Sequence, residues 1–374
     1  MLEFALGAFV PAMLLSLLLT PLAGRLAARA GLVAEVRPDR LHRRPRPYGG
    51  GIAVVLSAAL ALAVAAVAMP TIEDEPAAAD AALLGRLGGG AVPFFLLGLV
   101  DDKFRLAAWW KLPLQFACAT VAVLGLGFQA AAWLPCEALA QAASILWLLA
   151  VINAYNLLDH ADGVAAAWGA MALAALACGQ AAISAEVCTR TLTAAPALAA
   201  AGALAGFLVH NRPPARLFMG DAGTMCVGYL LAALTMAGRY FFSGFTPSRW
   251  VVLVPLAILA VPLADMVFVV AARLRRGRNP FRGDAENHLA HRMLARGWSP
   301  RGVVAFAAGA SAVTGAASVA MYSLSGPALV IPWLAVAAVL AAMLLVRRPP
   351  DMRGGSGDPP RGGSPEPPRA EAAT

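Results

Sequence analysis

Apolar stretches of about 20 residues recur along this chain, at roughly 4–22, 50–69, 83–100, 112–132, 142–158, 163–183, 193–210, 222–241, 250–272, 302–323 and 328–346. About 20 apolar residues is the length of helix that crosses the hydrocarbon core of a bilayer. The fold expected is therefore an all-α integral membrane protein with about 11 transmembrane helices. Composition agrees: 60% of the 374 residues are hydrophobic and 13% charged, too apolar for a soluble domain of this length.

Basic residues orient the bundle. Arg25, Arg29, Arg37, Arg40, Arg43, Arg44 and Arg46 follow the first stretch, and the loop after the ninth carries arginines from Arg273 to Arg301. Lys103, Arg105, Lys111, Arg212 and Arg216 lie in loops on the same side, while Glu73, Asp74, Glu75 and Asp80 lie opposite. Lys and Arg mark the cytoplasmic loops, so the N-terminus is expected outside and the C-terminus inside. The net charge of +8 then reads as membrane topology, and nucleic acid is not expected as a partner. The start of the chain lacks a basic leader and a small-residue cleavage site, so no cleavable signal is expected. Residues 1–346 read as one polytopic membrane domain, and the Pro, Gly, Arg and Glu of 347–374 as a disordered cytoplasmic tail. Five isolated cysteines with no CxxC spacing argue against a zinc site or a disulfide framework.

Polar residues gather at the cytoplasmic ends of the stretches. Asp221 stands between Gly220 and Gly223, where an apolar run resumes. An ionisable group at membrane depth reads as functional, although an Asp just ahead of a helix also serves as an N-cap. Asp101 and Asp102 lie between the third and fourth stretches, with Lys111 and Gln115 beyond them. Asn153, Asn156, Asp159 and Asp162 close the fifth, where steps of three along a helix would let the amides and Asp159 converge. Such oxygens suit a hard divalent cation, and Mg2+ in addition keeps waters and binds phosphates. The last basic loop holds Asp284, His288, His291 and Arg292, donors suited to a pyrophosphate. Asp265, inside the ninth stretch, reads as a structural or orienting residue. Carboxylates for a cation beside basic groups for phosphate point to phosphoryl transfer at the membrane surface.

With these motifs in this order the chain resembles the polyprenyl-phosphate N-acetylhexosamine-1-phosphate transferases, a sister group of the phospho-MurNAc-pentapeptide translocases. The resemblance rests on Pro38 to His42 with Pro45, Pro47, Gly49 and Gly50; Asp101 and Asp102 with Lys111, Leu112 and Gln115; Asn153, Asn156, Asp159 and Asp162; Asn211, Pro214 and Ala215 with Phe218 to Gly223; and Asp284 with His288, His291 and Arg292. It implies that Asp221 and Asn156 ligate Mg2+, with Mn2+ able to stand in. It further implies that Asp101, Asp102, Asp159 and Asp162 are catalytic and that Lys111, Asn153, His42, His288, His291 and Arg292 bind substrate. Asp159 or Asp162 borders the nucleotide on this reading. The partners implied are a UDP-sugar, undecaprenyl phosphate and membrane lipids in the bacterial inner membrane, with a homodimer also allowed. The chain departs from the family pattern at His160 and at Leu289–Ala290, where a glycine and a tighter histidine cluster are usual. A CDP-alcohol phosphotransferase is the nearest enzyme alternative, but Ala167 stands where that family has Arg. A secondary transporter would place its charges near the bilayer midplane.

Overall fold

The computed structural model describes residues 2–34, 45–68, 77–129, 134, 136–187, 193–238, 240, 241, 246, 248–279 and 288–346. His42, Asp284 and the tail expected over 347–374 lie outside the described residues. The described helices are α1 (Leu2–Arg29), α2 (Gly50–Ala68), α3 (Ala77–Phe104), α4 (Ala108–Thr120), α5 (Glu137–Leu158), α6 (Val164–Val187), α7 (Ala194–Asn211), α8 (Gly220–Ala237), α9 (Val254–Ile258), α10 (Ala260–Arg275), α11 (Leu289–Ala295), α12 (Pro300–Ala320) and α13 (Val330–Leu345). A two-residue antiparallel pair, β1 (Val33–Ala34) with β2 (Arg46–Pro47), joins the two ends of the first basic loop.

Every apolar stretch anticipated from the sequence contains a helix among the described residues, and the protein is an all-α integral membrane protein. Among the described residues, eight helices are long and apolar enough to cross a membrane by themselves. The stretch expected over 250–272 is broken: α9 and its preceding 3-10 turn meet α10 at a bend of 62°. Nor is 112–132 one α-helix. It runs as α4 into a π-helical turn, Val121–Gly125, and ends where Gly127 turns left-handed at φ 74°. The additional short helix, α11, carries His291 and Arg292.

The bundle is arranged around α8. Its spanning segment is 78% buried, against 22% for the peripheral α13. Helices α2, α3 and α5 pack on α8, α7 packs on α1 and α6, and α12 packs on α6. Outward faces stay apolar, as at Leu18, Val267 and Leu334, which suits contact with lipid tails. The α3–α8 crossing is close because Gly98 has no side chain: a Cβ there would stand 2.4 Å from the backbone of Asp221 and Ala222. That approach brings Asp101 and Asp102, on the last turn of α3, against the first turn of α8. On the other side the chain after β2 is tied to the segment entering α8. Phe218 N donates to Pro47 O (3.0 Å), Gly50 N to Phe218 O (2.9 Å) and Gly51 N to Met219 O (2.8 Å).

Candidate active site

Asp221 lies in the first turn of α8, which begins at Gly220 with a left-handed φ of 75°. The residue ahead of the helix, Met219, supplies no side-chain cap. The orphan amides of that turn are met from α3 instead: Asp221 N donates to Asp102 Oδ1 (2.8 Å) and Ala222 N to Asp102 Oδ2 (3.1 Å). Thus the capping role that the sequence allowed for Asp221 belongs to Asp102. The carboxylate favoured beside a helix N-terminus is supplied across the helix interface.

Asp221 is left to serve as a charged group. Its Oδ2 meets Lys111 Nζ, and its Oδ1 accepts from Asn156 Nδ2 at 2.8 Å. The same ammonium meets Asp101 Oδ2 at 2.7 Å. Asp101 also closes the end of α3, with Oδ1 accepting from Leu106 N (2.7 Å) and its carbonyl from Arg105 N (2.7 Å). Arg105 turns with φ 53°, and this reversal returns the chain so that Lys111, in the first turn of α4, faces the two carboxylates. Side-chain exposure rises from 8% at Asp101 through 17% at Lys111 to 30% at Asp221, so Asp221 is the open end of the cluster.

Of the two asparagines expected to converge, only Asn156 reaches Asp221. It presents its amide nitrogen, which also bonds Thr224 Oγ1 at 2.6 Å, and so orients the carboxylate and offers it no ligating oxygen in this arrangement. Asn153 turns away. Its Nδ2 donates to Gln115 Oε1 (2.9 Å) and to Leu149 O (2.8 Å), pinning α4 to α5. Accordingly Asn153→Ala is expected to lower stability by about 1 kcal/mol while leaving turnover within a few-fold. Thermal unfolding and turnover of the purified variant check this, and a loss above about tenfold in turnover would place Asn153 in the site after all.

At the α5–α6 junction Asp159 is half-buried at the end of α5. Asp162 pairs with Arg46 Nη1 (3.1 Å) from β2 and accepts from Ala215 N (2.8 Å), while Arg46 also lies 5.3 Å from the centre of the Phe218 ring. Arg46 is the residue here that the sequence did not mark as part of a site, and His160 was marked only as a departure from the family pattern. Burial, then the neighbouring His288, lower His160 to about 3, so it is neutral at physiological pH. Its ring stacks on that of His288 with centroids 4.3 Å apart. His288 donates its Nδ1–H to Asp265 Oδ2 at 3.0 Å, and Asp265 Oδ1 accepts from Leu289 N at 2.8 Å.

Arg292, expected to hold a pyrophosphate, is 2% exposed and committed elsewhere. It reaches Asp265 Oδ1 at 3.5 Å, donates to Met343 O (3.2 Å) and Val346 O (2.9 Å), and lies 3.9 Å over the Phe268 ring. In this structure it anchors α11 to α10 and α13. His291 is half-buried beside His160.

This geometry belongs to a sequence with recognisable relatives. Residues 84–239 match the model described as glycosyl transferase family 4. The decaprenyl-phosphate N-acetylglucosaminephosphotransferase of Mycolicibacterium smegmatis is 31% identical over 361 residues, covering 87% of this chain and 85% of that protein. The chain belongs to glycosyl transferase family 4. A second relative, the probable undecaprenyl-phosphate N-acetylglucosaminyl 1-phosphate transferase of Bacillus subtilis, is 28% identical over 301 residues, 79% of this chain and 78% of its own. The phospho-N-acetylmuramoyl-pentapeptide-transferase of Heliobacterium modesticaldum is 30% identical over 246 residues, 59% and 68% of the two chains. The family 4 match runs from α3 to the end of α8, so it takes in Asp101, Asp102, Lys111, Asn156, Asp159, Asp162 and Asp221 but not the α11 histidines.

Proposed function

We propose that this family 4 protein transfers a sugar 1-phosphate, N-acetylhexosamine 1-phosphate foremost, from a UDP-sugar to undecaprenyl phosphate. UMP is the second product, and the reaction is the first membrane step of a cell-surface glycan. The observation that carries this reading is the convergence of Asp101 and Asp221 on one cationic atom, Lys111 Nζ, with Asp221 the more solvent-exposed of the two. A phosphate oxygen of the lipid attacks the β-phosphorus of the UDP-sugar. The bond from that phosphorus to the bridging oxygen breaks, and UMP leaves with the oxygen. A phosphate monoester whose second pKa is about 6 is mostly a dianion at neutral pH, so it needs little help from a general base. The work left to the protein is to position two anions and offset their charge.

The residues divide that work. Lys111 supplies a fixed positive charge, Asp102 holds the start of α8 in place, and Asn156 sets the orientation of Asp221. No group of three His, Cys, Asp or Glu side chains gathers for a metal among the described residues. Two carboxylate oxygens turned on one cation do fit Mg2+, which commonly takes one or two carboxylates and completes its shell with water and substrate phosphate. Asp221 and Asp101 would hold it, with Mn2+ accepted by the same oxygens. Bound there, the ion would neutralise the pyrophosphate charge. Asp162, Arg46 and Phe218 would border the nucleotide, and His288, buried and held by Asp265, would set the orientation of the His160 ring stacked on it.

Product analysis tests the assignment: purified protein is given undecaprenyl phosphate, Mg2+ and a panel of UDP-sugars, and the lipid fraction is weighed by mass spectrometry. A lipid diphosphosugar from a UDP-N-acetylhexosamine is expected, and its absence with every donor would overturn the reading.

The topology proposed has eleven spans, the N-terminus outside, the C-terminus and the site on the cytoplasmic side of the inner membrane. In a background without the five native cysteines, single cysteines placed over 73–80 should react with an impermeant label from outside the cell, and cysteines at Arg44 or Arg278 should not. The reverse pattern would overturn both orientation and site. The chain beyond Arg348 offers almost no apolar surface for docking, so its removal is expected to change turnover by no more than about twofold. A collapse of activity in correctly inserted protein would contradict this.

A further inference from the structure

The last turn of α7, the loop after it and the first turn of α12 enclose an open groove of about 590 Å3. Three exposed arginines, Arg212, Arg216 and Arg301, line it together with His210, Val209 and Val304, and none of its lining residues is acidic. It shares no residue with the cluster of Asp101, Asp102, Lys111, Asn156 and Asp221. The carboxylate that the same loop does bind, Asp162, is already matched by Arg46 and Ala215 N. Two carbonyls in the last turn of α7 are also occupied: Arg212 N donates to Leu208 O (2.8 Å) and Arg216 N to His210 O (2.9 Å). The groove is thus a concentration of positive charge.

Its place in the bundle says what kind of anion fits. Helices α7 and α12 are both long and apolar enough to cross a membrane, and the end of one meets the start of the other at Gly163, where Leu208 and Val304 both come within 3.3 Å of a notional Cβ. The arginines therefore stand at one boundary of the hydrocarbon layer, with Val209, 45% exposed, presenting apolar surface beside them. Phosphate is the anion at that depth, and guanidinium groups bind it through paired hydrogen bonds. Basic groups attract acidic lipid there by roughly fivefold in affinity each.

We propose that this groove binds the headgroup of an acidic phospholipid, at a site separate from the carboxylate cluster. A single phosphate sits among Arg212, Arg216 and Arg301, and the acyl chains leave along Val209 and Val304.

Native mass spectrometry of the full chain in detergent tests this with phosphatidylglycerol, phosphatidylcholine and inorganic phosphate as probes. One phosphatidylglycerol is expected to stay bound at concentrations where phosphatidylcholine does not, and the exposed double variant Arg212→Gln/Arg301→Gln should weaken that binding by about 25-fold. Equal retention of the two lipids, or undiminished phosphatidylglycerol binding by the double variant, would overturn the proposal. Displacement of the lipid by millimolar inorganic phosphate would identify a soluble-anion site instead. Should the double variant raise the KM for undecaprenyl phosphate tenfold or more, the groove would belong to the acceptor, which equally overturns it.

Discussion

Asp221→Asn is expected to lower turnover by on the order of a hundredfold or more in correctly inserted protein. Asparagine keeps the size of the side chain and its ability to bond Asn156 and Lys111, so packing of the α8 turn should survive. What it removes is the negative charge that faces the Lys111 ammonium and, on the proposed reading, the divalent cation. Were Asp221 a helix cap the substitution would be nearly silent, because Asn caps as well as Asp. The amides of that turn are held by Asp102, however, which removes capping as an explanation for Asp221. Partial recovery at raised Mg2+ is expected if the loss lies in cation affinity. Turnover of the purified variant across a Mg2+ series checks both statements, and near-wild-type activity would refute the cation role.

Lys111→Met should be almost as damaging, also about a hundredfold in turnover, but for the opposite reason. The substitution retains most of the apolar stem and deletes a cation that Asp101 and Asp221 share. Two partly buried carboxylates are then left facing each other, an arrangement disfavoured unless one takes a proton or a metal replaces the lost charge. Raised Mg2+ should accordingly restore little turnover, since the fixed charge for substrate phosphate is still missing. A variant whose turnover returned fully at high Mg2+ would show that Lys111 only occupies the place of the ion. Lys111→Arg is expected to rescue poorly, because a planar fork does not substitute for a compact ammonium between two oxygens.

The contrast between what could be read in advance and what could not has a physical basis. Helices were legible because lipid imposes length and apolarity on each segment separately. The bend between α9 and α10 and the π-helical turn after α4 were not, since both depend on packing against neighbours. Asp101 and Asp102 read as a matched pair because they are adjacent. Adjacent helical residues point about 100° apart, so one turns to Lys111 and the other to the amides of α8, whose closeness depends on Gly98. Asn153 and Asn156 differ by about 60° around α5, enough for Gln115 to claim the first. Nothing in the sequence separated Arg46 from the other arginines of its loop. Its role appears only once β2 is bonded beside Phe218. Arg292 shows the converse: a basic residue in a basic loop, yet buried on Asp265.

The most direct test of the proposed chemistry is the fate of the β-phosphorus. With UDP-N-acetylglucosamine labelled with 32P at the β position, undecaprenyl phosphate and Mg2+, the account expects the label to enter the lipid fraction in step with release of unlabelled UMP. Label released as UDP, with sugar alone passing to the lipid, would contradict it.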